Sequence, residues 1–131
     1  MSAVEKQEAA CAISPEKQAM VHEILGRIAD KWTLLVIDAL ETQGESRFSQ
    51  LRQHIPGVSQ KMLTKTLRQL ERDGLISRHV HASVPPRVDY KLTELGERLS
   101  ESLCGIWVWV SENLGRVESA RQRFDGKDKR K

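Results

Sequence analysis

The sequence predicts a mainly α fold with a small β-hairpin: a winged helix-turn-helix with extra helices at both ends. Three observations lead there. The stretch PGVSQKMLTKTLRQLERDGL, residues 56–75, reads as a sharply bounded helix with two opposed faces. A short helix, QLRQHI, precedes it across a turn that contains Pro56-Gly57, which is the helix-turn-helix pattern. Beyond it, LISRHVHA and VDYKL read as two strands joined by SVPPR, a hairpin with a proline-stiffened tip.

The elements follow in order. The first ten residues, MSAVEKQEAA, are polar, and residues 1–13 are expected to be a flexible leader. Ser14-Pro15-Glu16 combines an N-cap, a proline at the first helical position and an acid in the first turn. It opens a helix that places Met20, Val21, Ile24, Leu25 and Ile28 on one face. Asp30 caps the next segment, KWTLLVIDALETQ, which stops at Gly44. Its run Trp32 to Ile37 would suit a buried strand, but the continuation through Ala39 and Leu40 argues for a central, buried helix. Arg47-Phe48 is a short extended piece, with Ser49 the expected N-cap of the brief helix that ends before Pro56.

The helix 60–73 carries the strongest pattern. Ser59 is its N-cap and Gly74 its stop. At about 100° per residue, Leu63, Leu67 and Leu70 share one stripe. Lys61, Lys65, Arg68 and Arg72 form a second stripe on the opposite side. One face suits a protein core and the other something anionic. After the hairpin, Thr93 caps a last helix expected to reach about Leu114. In it Leu95, Leu99, Leu103, Ile106, Val110 and Leu114 make an apolar stripe, and Ile106-Trp107-Val108-Trp109-Val110 is apolar all round. A helix apolar on every side must bury every side, and one core cannot surround a terminal helix, so a second subunit is the natural cover. Residues 115–131 read as a basic, disordered tail, leaving 14–114 as a single domain.

Composition narrows the function classes. The net charge of +3 is unevenly spread. Residues 1–46 carry −4, residues 47–92 carry +6 and residues 93–131 carry +1. The helix-turn-helix and hairpin thus hold the excess positive charge, the footprint of a surface that meets a polyanion. With no apolar run near 18 residues and no signal-like start, a cytoplasmic chain with reduced cysteines is expected. There is no Gly-rich phosphate loop, no motif-placed His partner for either cysteine and no prominent carboxylate pair, so an enzyme is not expected and no cofactor is implied. His79 and His81 form an H-x-H pair without a third ligand nearby in sequence, so no metal is expected either.

The segments KWTLL at 31–35, RFSQL at 47–51, IPGVSQKML at 55–63, LRQLERDGL at 67–75 and RVDY with LTELG through 96 occur in order. In these the chain resembles the HxlR family of winged-helix transcription regulators, related to the MarR group, over roughly residues 11–114. It departs from that family's habit in having Ala29-Asp30 before Lys31-Trp32, and Ala12 after Cys11. The resemblance implies a homodimer joined through the first and last helices, with Met20, Ile24, Leu103, Ile106, Trp107 and Val110 at the interface. It implies double-stranded DNA as partner and, by family habit, a repressor acting on an inverted-repeat operator.

On that reading the helix 60–73 lies in the major groove, which admits a helix. Gln60, Lys61, Thr64, Lys65 and Arg68 lie on its outer face, placed to meet base edges or phosphates. Ser49 and Ser59 sit at helix starts on the DNA side, Ser49 as a phosphate contact. His81 and Arg87 of the wing reach an adjacent minor groove or backbone. Arg78, with the parity of Ile76 and Val80, is open between packing and DNA contact. Cys11 matches the N-terminal cysteine through which several such regulators sense electrophiles or oxidants. Its pairing with Cys104, expected to be buried, is one option for the switch. A small electrophile or aromatic molecule is the effector class implied. The rival reading is a winged helix used only for protein–protein contact.

Overall fold

The computed structural model describes Ser2 and residues 13–128 of the 131-residue chain. Cys11 and the expected flexible leader lie almost wholly outside these residues. The order is α1 (Pro15–Ile28), α2 (Lys31–Gln43), β1 (Ser46–Arg47), α3 (Phe48–His54), α4 (Gln60–Arg72), β2 (Ile76–His81), β3 (Arg87–Leu92) and α5 (Glu94–Asp128). This is a winged helix-turn-helix with added terminal helices.

Local chemistry explains most boundaries. Ser14 accepts the Lys17 N–H at 3.3 Å, and Pro15 opens α1. The Asp30 carboxylate accepts the Trp32 and Thr33 N–H groups at 2.9 and 3.3 Å, starting α2. The end of α4 is closed by Gly74 in the left-handed region, φ 75°. The Leu75 N–H then turns back to the Leu70 carbonyl at 3.0 Å, a Schellman arrangement that satisfies a carbonyl the helix would leave free.

The core is a single cluster. Val36, Ile37 and Leu40 of α2 meet Leu51 of α3, Leu63, Leu67 and Leu70 of α4, and Ile76 and Leu92 of the sheet. Full burial of one such side chain is worth about 1.5–3 kcal/mol, so this cluster holds α4 against the body.

Four expectations change. The extended piece before α3 is Ser46–Arg47 rather than Arg47-Phe48, and it joins the hairpin as a third strand in the order β1-β3-β2. Ser49 is not the N-cap of α3. Arg47 holds that position, its N–H donating to the Gln50 Oε1 at 2.9 Å, so Ser49 is the second residue of the helix, within its first turn. The last helix does not stop near Leu114 but runs to Asp128, 35 residues in all. Residues 116–125, RVESARQRFD, hold strong helix formers, and the charged run expected to fray is helical. Cys104 is exposed rather than buried, because α5 has by then passed the edge of the domain.

α5 is fastened close to its start. The Gly96 N–H donates to the Thr93 Oγ1 at 3.1 Å, and the Thr93 hydroxyl donates to the Gly74 carbonyl at 2.6 Å. A Cβ built on Gly96 would lie 2.0 Å from the Leu75 carbonyl oxygen, so only glycine lets the helix approach this closely.

Candidate nucleic-acid interface

The two stripes of α4 fall where the sequence puts them. Leu63, Thr66, Leu67 and Leu70 are buried, while Gln60, Lys61, Thr64, Lys65, Arg68 and Arg72 are exposed. Ser59 accepts the Met62 N–H at 3.0 Å and so caps the helix at its presented end. The Thr64 hydroxyl donates to the Gln60 carbonyl at 2.8 Å, which fixes its rotamer. Among the described residues, no ion pair includes Lys61, Lys65, Arg68 or Arg72. Four cations thus stand along one exposed face with no carboxylate to neutralise them. Ser49, exposed on α3, is the remaining helix-turn-helix residue expected to face DNA.

The wing is built differently. His81 and Arg87 are directly opposed across β2 and β3, but neither projects freely. Both turn to Asp89, whose side chain is 4 % exposed: His81 Nε2 lies 2.8 Å from one carboxylate oxygen, and the Arg87 Nε–H donates to the other at 3.2 Å. Burial pushes the Asp89 carboxyl upward, but the hydrogen bonds and charges of Arg87 and then His81 outweigh it and hold it below the usual carboxylate range. Burial raises the Tyr90 phenol in the same strand. Arg78 is exposed and pairs with Glu71 of α4 at 3.6 Å, so it ties wing to helix rather than entering the core. His79 is bonded to the Ser77 hydroxyl at 3.2 Å. The H-x-H pair is therefore split between two partners.

Sequence reasoning missed Asp89 as the centre of the wing root. The signal was present: Arg87 and Asp89 are two apart on a strand and so share a face. It missed the Arg27–Asp73 pair as well. At 2.5 Å it joins α1 to the end of α4, and the hydrogen bond that Arg27 donates to Asp73 holds its guanidinium above its usual range. That contact spans 46 positions and no local pattern announces it.

Away from the basic face, the apolar surface is large. α1 buries no residue, and Met20 and Leu25 are more than half exposed, while Ile24 is half-buried. On α5, Leu103 packs against the core, but Ile106, Trp107, Trp109 and Val110 stand in the open, Trp107 at 73 %. No helix among the described residues is long and apolar enough to cross a membrane.

Comparison with known proteins agrees with this architecture. The family model of the HxlR-like helix-turn-helix matches residues 27–118. The HTH-type transcriptional regulator YtfH of Escherichia coli is 41 % identical over 105 residues, covering 80 % of this chain and 82 % of its own. The solved structure of the ytfH transcriptional regulator from Salmonella typhimurium superimposes with a TM-score of 0.70 at 39 % identity, over 78 % of this chain and 90 % of that one. The redox regulator HypR in its oxidised form gives 0.61 at 37 % identity, over 71 % and 95 %.

Proposed function

The chain belongs to the HxlR-like helix-turn-helix family of transcriptional regulators, and from that premise we propose that it binds a specific duplex operator as a homodimer in the cytoplasm, without catalysing a reaction. One observation carries the proposal: the exposed, unneutralised row of Lys61, Lys65, Arg68 and Arg72 on a helix whose other side is locked into the core. A free cation row of this kind releases condensed counterions when it meets phosphates. Gln60, Lys61, Thr64, Lys65 and Arg68 then face base edges, while Ser49 and Ser59 lie at helix starts beside the backbone. The wing contributes through Arg87 and His81 only as far as their bonds to Asp89 allow.

The exposed apolar faces of α1 and α5 support the dimer. Met20 and Ile24 of one helix and Ile106, Trp107 and Val110 of the other are the surface a second subunit covers, with Leu103 at the edge of the core. Similarity to the redox regulator HypR favours a response to oxidation, which we read as repression of the target promoter relieved by an oxidant or electrophile at Cys11. Cys104 is the thiol on α5 that Cys11 of the partner would meet, and its exposure leaves it open to such a bridge.

The test is selection of bound sequences from a random duplex pool by the reduced protein, then titration of the winner across salt and with diamide. We expect an enriched inverted repeat, half-sites about one helical turn (~34 Å) or a multiple apart, and affinity that falls steeply as salt rises. Absence of enrichment at low salt would move the assignment to a protein-binding winged helix. Full binding after diamide treatment would remove the redox switch alone.

A further inference from the structure

The root of the wing brings together one imidazole and two carboxylates from three separate pieces of chain. Glu45 comes from the turn before β1, His81 from the end of β2 and Asp89 from the middle strand β3, and one ligand atom of each lies within 4.8 Å of the others. The sheet order β1-β3-β2 imposes this meeting. Asp89 is registered with Arg47 on one side and with His79 on the other, so Glu45 and His81 flank it from opposite strands.

The two oxygens of Asp89 are not equivalent. Arg87 holds one at 3.2 Å, fixing the plane of the carboxylate, while the other points to His81 Nε2 at 2.8 Å. Metal-ligating carboxylates are held in this way by an outer partner that sets their orientation. Glu45 is exposed and, among the described residues, enters no ion pair. Two carboxylates, Glu45 and Asp89, thus converge on the imidazole, and among the described residues Arg87 is the one guanidinium bonded to either. One positive centre placed between Glu45, His81 and Asp89 would balance them.

We propose that Glu45, His81 and Asp89 form a three-ligand site for a divalent transition metal of the zinc type, pinning the wing to the turn before β1. A nitrogen and two carboxylate oxygens suit zinc, with water as a fourth ligand; magnesium and calcium favour all-oxygen sites. A tetrahedral zinc at 2.0–2.2 Å needs its ligands about 3.3 Å apart, a small opening of the His81–Asp89 contact. His81 is half exposed beside the hairpin loop, which gives it room to move. The metal would add a cross-link to the backbone pairing of β3 with β1 and so stiffen the wing, and the site stands independently of the DNA-binding reading.

The experiment is titration of the chelator-stripped full chain with zinc sulfate in competition with a chromophoric chelator. Because thiols also take zinc, it is run in parallel on a Cys11→Ser, Cys104→Ser background. One zinc per chain is expected in both proteins, weakened at least tenfold by Glu45→Gln and by His81→Asn in the thiol-free background. His79→Asn should keep full affinity. Amide exchange through 76–81 and 87–92 should slow when zinc is present. Both ligand positions are exposed, so the variants are expected to fold, and circular dichroism checks this. No zinc uptake by the thiol-free protein would overturn the site. So would unchanged affinity in both ligand variants relative to their thiol-free parent, or a loss in His79→Asn as large as in His81→Asn.

Discussion

The helix α4 and the wing hold comparable numbers of cations and treat them in opposite ways. On α4 no carboxylate neutralises Lys61, Lys65, Arg68 or Arg72, although Glu71 lies on the same helix; that acid is turned to Arg78 of the wing. In the wing, Arg87 and His81 are both committed to Asp89. A cation already bonded to a buried carboxylate must be freed before it can reward a phosphate, whereas a solvated one has only water and salt to shed. The difference teaches that positive charge in a sequence does not mark a polyanion surface until the neighbouring acids have been placed.

Four outcomes would break or sharpen that contrast. The largest concerns the hidden side of α4. Leu63 is fully buried, so Leu63→Ala should cost about 3 kcal/mol of stability in chemical denaturation. A loss below about 1 kcal/mol would mean that the leucine stripe does not anchor the helix. On the exposed side, Arg68→Ala or Lys65→Ala should leave stability within about 0.5 kcal/mol. Each should weaken operator binding by about 1–3 kcal/mol in a fluorescence titration if it touches a base. Unchanged binding in both variants would take α4 out of recognition. Arg87→Ala should weaken binding less than Arg68→Ala, because its guanidinium is held by Asp89. An equal loss would show the wing working as a second reading head. The smallest effect belongs to Ser59→Ala, which removes the hydroxyl that accepts the Met62 N–H and should cost about 1 kcal/mol of stability.

Much of this architecture was legible from local chemistry. The opposed stripes of α4, the caps at Ser14, Asp30 and Ser59, and the alternation of Val88, Tyr90 and Leu92 act within a few residues and leave a periodic trace. The failures have equally physical causes. Ser49 looks like a cap by type, yet the chain turns two residues earlier, where Gln50 can reach back to the Arg47 N–H. Cys104 sits among apolar neighbours, but whether a helix position is covered depends on where the domain ends, and α5 outruns it. Residues 115–128 are polar enough to read as a tail, while their intrinsic helix preference sustains α5. The clasp at Asp89 and the Arg27–Asp73 pair depend on strand register and helix packing, which no short window contains.

The junction at Gly96 has a mechanical side. The Leu75 carbonyl accepts the Thr93 N–H at 3.1 Å, and the Gly74 carbonyl takes the Thr93 hydroxyl at 2.6 Å. The tail of α4 and the head of α5 are thereby joined like two bars at one pivot, clasped by Thr93 and brought close by Gly96. From that pivot α5 extends about 48 Å to its far end, at 1.5 Å per residue. A rotation of about 5° at the joint therefore corresponds to a swing of about 4 Å at the tip. Read in reverse, a load applied far out on α5 reaches α4 geared down roughly in proportion to the arm, as a small, stiff displacement of the basic row.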